Sequence, residues 1–213
     1  MDQSVLDAIA RWPNVPAVTG WLSLNCRGSW RLHPLGDAAR GGAGETITNE
    51  QILKFIDRNY SHDARGAWFF QNGPQRVYTR LDACPYILRF DPAAATITTH
   101  NGLTVNRVTD WIADDAGNLY AGTDLGPGRI DDRDLAALAD VLVDAQANTL
   151  LELLDDKSLI IGPGAATPHL RVHIAPHGSV VTPLAQAAPL SLCTLTDIPA
   201  RMGFIANPTV DDA

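Results

Sequence analysis

The chain has 213 residues, 46% of them hydrophobic and 19% charged, a composition typical of one large or two small globular domains. Its net charge of −8 and its 16 scattered arginine and lysine residues disfavour binding to nucleic acid. No stretch approaches the roughly 20 apolar residues of a membrane span, and the first residues lack the pattern of a signal peptide. The three cysteines are far apart and are expected to be reduced, mostly buried thiols, so we expect a soluble cytoplasmic protein.

The first elements along the chain are predicted to be a helix, a hairpin and a second helix. Apolar residues recur at helical spacing over residues 4–12, which predicts an amphipathic helix. Short strands are expected at 21–24 and 29–32, followed by a loop at 34–45 whose glycine and alanine content favours mobility. A capping box that starts at Thr48 then predicts the next helix.

The strongest structural pattern in the chain lies at residues 66–91. It begins with an aromatic run at 68–70, a composition that packs well on a pleated sheet. A turn follows at 72–74, and residues 75–82 alternate in polarity as a strand does. A third strand is expected at 86–90. The sequence therefore predicts an antiparallel meander of three strands.

The second half of the chain is predicted to contain two hairpins, a capped helix and further strands. Asn101-Gly102 is a strong hairpin signal within the first of these pairs. In order, we expect strands at 96–99 and 104–108, strands at 110–113 and 118–121, a loop at 122–130, a helix capped by Asp131, helical residues at 148–154, and strands at 159–161, 169–175, 179–182 and 190–195.

The two halves of the sequence present similar elements in the same order. Each has a hairpin, a loop, a capped helix, an apolar strand with a Gly-Pro turn, and an alternating strand. The apolar strands are 68–70 in the first half and 159–161 in the second. The sequence thus predicts an α+β fold of two related halves, 1–108 and 109–213, each a capped helix packed on a small, curved antiparallel sheet.

Three short motifs in the central stretch resemble a known family. They are Gly66-Ala67-Trp68-Phe69, the segment 77–82, and Ala83-Cys84-Pro85-Tyr86. Over residues 20–180 the sequence is similar to uncharacterised bacterial proteins of the domain-of-unknown-function 1285 family, or to a sister family. The resemblance implies repeated α+β motifs and a loosely suggested role in signalling or ligand binding, and it supplies no catalytic residues.

Patterns that would indicate catalysis or metal binding are weak. His169 and His173 would lie on one face of a strand about 13 Å apart, at ~3.3 Å per residue, too far for one zinc ion. The run 61–63 contains the residue types of a Ser-His-Asp triad, but a triad is assembled in space and not from neighbours. The glycine clusters match no phosphate-binding loop. We therefore predict no catalytic residue, no metal site and no cofactor.

The most informative polar residues accompany the aromatic run of the central stretch. This candidate ligand site consists of Trp68, Asn72, Gln75, Arg76, Tyr78 and Arg80. Alternation places the two arginines and Tyr78 on one face of a strand, where two cations beside an aromatic ring could bind a carboxylate or a phosphate. The alternative is an exposed sheet face on which the tyrosine covers the arginine stems.

Three hypotheses for function follow from these patterns. The first is a non-enzymatic binding or regulatory module for a small anionic ligand or a partner protein. The second is an enzyme whose aspartate, histidine and arginine residues are brought together only by the fold. The third is a homodimer built on sheet edges. No nucleic acid or membrane is expected as a partner.

Overall fold

The structure is a computed structural model that describes residues 1–155, 170–176 and 181–209. The chain divides into two compact units. The first comprises Met1–Pro85 together with the described residues from Gly203 onward, and the second comprises Tyr86–Met202. All three cysteines are reduced thiols outside any disulfide; Cys84 and Cys193 are buried and Cys26 is exposed.

The first unit is a six-stranded sheet with two helices. Its elements are α1 (Gln3–Arg11), β1 (Val18–Leu24), β2 (Trp30–Leu32), a 3-10 turn (Ala38–Arg40), β3 (Glu45–Thr46), α2 (Glu50–Arg58), β4 (Tyr60–His62), β5 (Trp68–Asn72) and β6 (Gln75–Leu81). The strand order is β3-β2-β1-β6-β5-β4. Every neighbouring pair is antiparallel except β1 and β6, which run parallel.

Helix α2 begins one residue later than the sequence predicted. Its cap is Asn49, whose Oδ1 accepts hydrogen bonds from the N–H groups of Gln51 and Ile52 at 2.9 and 3.1 Å. The predicted capping box at Thr48 is therefore wrong, because the neighbouring amide already satisfies these N–H groups. The helix buries Ile56 but leaves Ile52 49% exposed, so its first turns do not pack fully on the protein.

The second unit is a nine-stranded sheet with three short helices. Its elements are β7 (Tyr86–Asp91), β8 (Thr96–Thr99), β9 (Thr104–Val105), β10 (Val108–Asp114), β11 (Leu119–Thr123), β12 (Gly126–Ile130), α3 (Leu135–Ala139), β13 (Leu142–Val143), α4 (Leu150–Asp155), β14 (Arg171–Ile174), β15 (Ala188–Cys193) and α5 (Ile198–Met202). The strand order is β13-β14-β15-β10-β11-β12-β7-β8-β9. The parallel pairs are β10 with β15 and β12 with β7.

The two sheets share one topology. The order β3-β2-β1-β6-β5-β4 in the first unit matches β12-β11-β10-β15-β14-β13 in the second, with a single parallel pair at the same place. The predicted α+β class with two related halves is confirmed. Each sheet contains parallel as well as antiparallel pairs, so the sheets are mixed. The strand that corresponds to β5 is β14, whereas the predicted counterpart at 159–161 lies outside the described residues.

The central meander that the sequence predicted is divided between the two units. Strands β5 and β6 form its hairpin in the first sheet, but β7 pairs with β8 and with β12 in the second. The division therefore follows Pro85, and the predicted boundary at residue 108 falls at the start of β10, inside the second unit. Sheet membership depends on distant pairing, which local alternation does not report.

The second unit confirms both predicted hairpins, β8–β9 and β10–β11. The predicted loop at 122–130 is wrong, because residues 126–130 form β12. Gly128 belongs in that strand for a packing reason: a Cβ there would lie 2.6 Å from Cγ of Leu88.

Other predictions for the second unit hold in part. The helix that was expected at Asp131 starts at Leu135, with Asp134 as its N-terminal flanking residue. The helical residues expected at 148–154 form α4. The strand expected at 169–175 is confirmed over residues 171–174, and the one at 190–195 corresponds to β15. None of the helices in the described part of the chain has the length and hydropathy to span a bilayer.

Candidate functional site

The first unit contains a cleft of about 700 Å³, lined by α2 and by strands of the sheet. Its apolar walls include Leu22, Leu32, Ile52, Ile56, Phe70 and Val77. The cleft exists because the first turns of α2 and the bulged strand β1 leave large side chains uncovered. Trp21, Leu32 and Ile52, all lining residues, are 45%, 44% and 49% exposed. The residues thus form a concave surface that is open to solvent and mostly apolar.

Polar groups occur in two places on this lining. One is the connection from β3 to α2, with Thr46, Thr48 and Asn49; the other is the tip of the β5–β6 hairpin, with Asn72 and Gln75. Asn49 uses its Oδ1 to cap α2, which leaves its amide nitrogen for other partners. Gln75 uses its Nε2 to donate to Pro16 O at 3.2 Å, which leaves its amide oxygen for other partners. Each of these two amides therefore keeps hydrogen-bonding capacity toward the cleft.

The predicted ligand-site residues divide between the two faces of the sheet. Residues 70 and 72 on β5, and 75 and 77 on β6, share the cleft face by strand alternation, which places Asn72 and Gln75 there. Arg76, Tyr78 and Arg80 point to the opposite face. The sequence predicted this second group correctly as one face, but the candidate site also included three residues, Trp68, Asn72 and Gln75, that belong to the other face.

The side chains on the opposite face have partners within the protein. The guanidinium of Arg76 lies 4.7 Å from the ring centroid of Phe69. Tyr78 donates its hydroxyl hydrogen to Asp63 Oδ2 at 3.0 Å, and burial together with that carboxylate raises the pKa of Tyr78. Trp68 does not belong to this face: it shares the face of residues 70 and 72 by alternation, where it is buried and packs on Tyr60 at a centroid distance of 4.9 Å. Both predicted cations therefore have partners, since Arg76 contacts Phe69 and Tyr78 and Arg80 is engaged as described next.

Arg80 holds the glycine-rich loop (residues 36–44). Its Nη1 donates to the carbonyl oxygens of Ala38 and Gly42 at 2.6 and 3.1 Å. Arg31 donates in the same way to Ala43 O at 3.0 Å, and Asn207 donates to Ala39 O at 3.0 Å. The expectation that this loop is mobile is corrected by these contacts, which fix its backbone at several points.

Beneath the loop lies a polar chain that sequence inspection missed. Ser23 Oγ lies 2.8 Å from His33 Nε2, and His33 Nδ1 lies 3.1 Å from Asp37 Oδ1. A histidine protonated on Nδ1 donates to Asp37 and accepts from the Ser23 hydroxyl, which is the atom order of a Ser-His-Asp triad. The residues are separated by 10 and 4 positions in sequence. Ser23 lies on β1, and His33 and Asp37 lie in the segment after β2, so no local motif identifies the three together.

The access to this chain differs from that of a hydrolase. Ser23 and His33 are both 0% exposed. The loop backbone packs directly on the chain: a Cβ at Gly44 would lie 2.7 Å from His33 Cε1, and one at Gly42 would overlap the Asp37 carboxyl group. The space from which a substrate would approach is thus filled by the loop. By contrast, His62 in the run 61–63 donates from Nδ1 to the Asp63 backbone carbonyl at 2.9 Å, so that run forms no triad.

The most strongly shifted titratable groups of the described residues belong to the second unit. Burial lowers the pKa of His100 to about 4 and raises the pKa of Tyr86 to about 12. A hydrogen bond from Arg133 lowers the pKa of Asp131 well below its usual range. Within the described ranges, no group of three or more histidine, cysteine, aspartate or glutamate side chains is placed to hold a metal ion.

Comparison with solved structures finds two proteins of the family that the motifs at 66–86 resemble. A DUF1285 family protein from Silicibacter pomeroyi DSS-3 is 15% identical over 63% of this chain and 75% of its own, with a TM-score of 0.41. A DUF1285 family protein from Shewanella baltica OS155 is 14% identical over 54% of this chain and 87% of its own, with a TM-score of 0.39.

Comparison of sequences gives the family assignment. No curated protein matches the chain. The family model DUF2944, described as "Protein of unknown function (DUF2946)", matches residues 1–209. Since this match covers nearly the whole sequence, the chain belongs to the DUF2944 family.

Proposed function

We propose that the protein is a binding module whose first unit holds a small, largely apolar ligand in the cleft. The observation that carries this proposal is the cleft itself. Its volume of about 700 Å³ falls within the range of roughly 300–1,000 Å³ that is usual for ligand pockets. Mostly apolar walls with a few polar groups are the usual composition of such sites.

The exposure of the lining supports a binding role over a packing defect. Trp21, Leu32 and Ile52 each leave close to half of their surface in water, and all three line the cleft. Exposed apolar side chains gathered along a concave surface are characteristic of ligand-binding grooves. A ligand that covers them would recover hydrophobic free energy in proportion to the area removed from water.

The second candidate function is a hydrolase, because Ser23, His33 and Asp37 have the atom order of a catalytic triad. We instead assign these three side chains a structural role in holding the glycine-rich loop, because Ser23 and His33 are inaccessible and the loop fills the approach to them. A fluorophosphonate probe tests the assignment, since it labels accessible, activated serines. We expect no labelling of the native protein. Labelling that disappears in Ser23→Ala would establish the hydrolase instead.

The binding proposal is tested by thermal shift against a panel of apolar metabolites, with one variant on each face of the sheet. A ligand at 100 times its dissociation constant adds about 2.7 kcal/mol, which raises Tm by several degrees for a chain of this size. Ile52→Glu places a charge in the cleft at a half-exposed position, and we expect it to abolish the shift. Arg76→Ala changes the opposite face and should leave the shift intact.

The same pair of variants decides between the two faces. If the shift survives Ile52→Glu and disappears in Arg76→Ala, the ligand binds the arginine face that the sequence suggested. Melting of each free variant serves as the control for folding, and both substitutions lie at partly or fully exposed positions.

A further inference from the structure

The charges around the cleft define the class of ligand more narrowly, and this step rests on the proposed function. Among the residues that line the cleft, Glu45 carries the only formal charge, and it is negative. The arginines of β2 and β6 lie on the opposite face of the sheet, where Arg31 donates to the carbonyl oxygens of Ala43 and Gly44 and Arg80 donates to those of Ala38 and Gly42. A carboxylate or phosphate in the cleft would lose its hydration without gaining a cation.

The polar groups of the lining suit an uncharged head group. Thr46, Thr48 and Asn72 offer hydroxyl and amide groups that both donate and accept hydrogen bonds. The amide nitrogen of Asn49 adds a donor, since its oxygen is used by the helix cap. The oxygen of Gln75 adds an acceptor, since its nitrogen is used by Pro16. Such a mixture matches an amide, ester or hydroxyl group.

The placement of these groups suits an elongated ligand. The polar connection after β3 and the polar hairpin tip of β5–β6 lie on either side of β2 and β1 in the sheet. From β3 to β6 there are three strand spacings, roughly 14 Å at about 4.8 Å per spacing. Apolar side chains, including Leu22 and Leu32, lie between the two polar ends.

We propose that the cleft takes an uncharged amphiphile, an extended hydrocarbon chain with an amide, ester or hydroxyl head, and discriminates against the carboxylate of the same chain length. The polar head lies at the end that holds Glu45, Thr46 and Thr48, and the hydrocarbon chain covers the half-exposed apolar residues. Ligand charge is thereby selected through the absence of a free cation on the lining and the presence of Glu45.

The experiment compares dodecanamide with dodecanoate at pH 8, each kept below its micelle-forming concentration, by isothermal titration. We expect dodecanamide to bind at least tenfold more tightly. Glu45→Gln should narrow the affinity ratio by relieving repulsion of the anion, and Thr48→Ala, at the same polar end, should weaken binding of the amide about fivefold, as one lost hydrogen bond implies. Arg76→Ala is the matched control on the opposite face and should change neither affinity.

The outcomes separate this inference from the proposal on which it rests. If dodecanoate binds as tightly as dodecanamide and Ile52→Glu abolishes both, the cleft binds ligands but the charge selection is overturned. If neither compound binds, or if binding persists in Ile52→Glu, both the inference and the cleft as the binding site are overturned.

Discussion

The two units build the same strand order from different side chains. Counted from the hairpin loops, the positions of Ser23 and His33 in the first unit are held by Ile112 and Gly122 in the second. The buried polar chain is therefore particular to the first unit and is not required by the topology. The extra strands β7–β9 occur only on the second sheet, where they pair with β12. The same strand order therefore carries an open cleft in the first unit and a sheet enlarged by three strands in the second.

The hairpin loops show the opposite behaviour, because their chemistry is repeated in both units. In each, the first side chain accepts hydrogen bonds from the N–H groups of the third and fifth residues, and the fourth residue has a positive φ. The four loops are Asn25–Ser29, Asp63–Ala67, Asp114–Asn118 and Asp144–Asn148. Local turn chemistry is thus constant, while the faces of the sheets have diverged.

The largest effect on stability is expected when the same substitution, glycine to alanine, is made at the fourth position of two of these loops. Gly66 and Gly117 have φ values of 83° and 80°, but a Cβ at Gly66 would overlap the carbonyl oxygen of Gly203, whereas a Cβ at Gly117 meets open space. We expect Gly66→Ala to lower the free energy of unfolding by about 3 kcal/mol or more, through backbone strain plus overlap. Gly117→Ala, the matched control, should cost about 1 kcal/mol, through strain alone.

Urea denaturation of both variants measures this difference. Equal losses would show that the chain near Gly203 moves aside without cost and that the loops are equivalent in packing as well as in local geometry. A greater loss in Gly117→Ala would contradict the packing that the structure gives to the first unit.

The next largest effect is a loss of folding stability at low pH, and it comes from His100 in the second unit. Burial lowers the pKa of His100 to about 4 from its ordinary 6.5. Between these two pH values His100 is protonated in the unfolded chain and neutral in the folded chain. Stability is therefore full above pH 6.5 and declines as the pH falls toward 4. We expect a loss of about 2–3 kcal/mol between pH 7 and pH 4.5 from this residue. In His100→Gln that part of the pH dependence should be absent. A pH profile that the substitution leaves unchanged would show that folding does not shift the pKa of His100.

A smaller effect is expected from the polar chain that only the first unit contains. Removing the imidazole in His33→Ala leaves the buried Ser23 hydroxyl without its partner, at a cost of about 2 kcal/mol. The exposed His62→Ala should cost less than 1 kcal/mol. A double-mutant cycle with Ser23→Ala isolates the interaction, for which we expect a coupling of about 1 kcal/mol. Zero coupling would mean that the two side chains do not stabilise each other.

The sequence predicted the hairpins because their turns carry local signals. Asn101-Gly102 lies between β8 and β9, and the loop that begins at Asp114 combines a side-chain acceptor with Gly117. It failed for β12, where glycine and proline were taken as a loop, because the reason for Gly128 is contact with Leu88, 40 residues away in sequence. A single sequence therefore indicates which residues form turns, but not which distant residues pack together.

The candidate site shows the same limit. Alternation correctly grouped Arg76, Tyr78 and Arg80, but nothing near them in sequence indicates that Arg80 binds the carbonyl oxygens of Ala38 and Gly42. The cleft depends on how α2 packs, and an apolar residue such as Ile52 looks the same in sequence whether it is buried or half exposed. Of the residues that line the candidate cleft, the sequence therefore singled out only Asn72 and Gln75.

The smallest effect tests whether the repeated loop geometry is itself under strain. Ala147 takes the position that glycine holds in the other three loops, with a φ of 64°. Ala147→Gly relieves about 1 kcal/mol of strain but adds unfolded-state entropy of roughly 0.7 kcal/mol, so a net gain of about 0.3–0.5 kcal/mol is expected. Ala145→Gly, also exposed and in the same loop but without a positive φ, should instead lose about 0.7 kcal/mol. The two substitutions are chemically identical, so opposite signs in urea denaturation can only come from the backbone. A loss in both would show that an alanine at the fourth position carries no strain, and that the preference for glycine there in the other loops has a different cause.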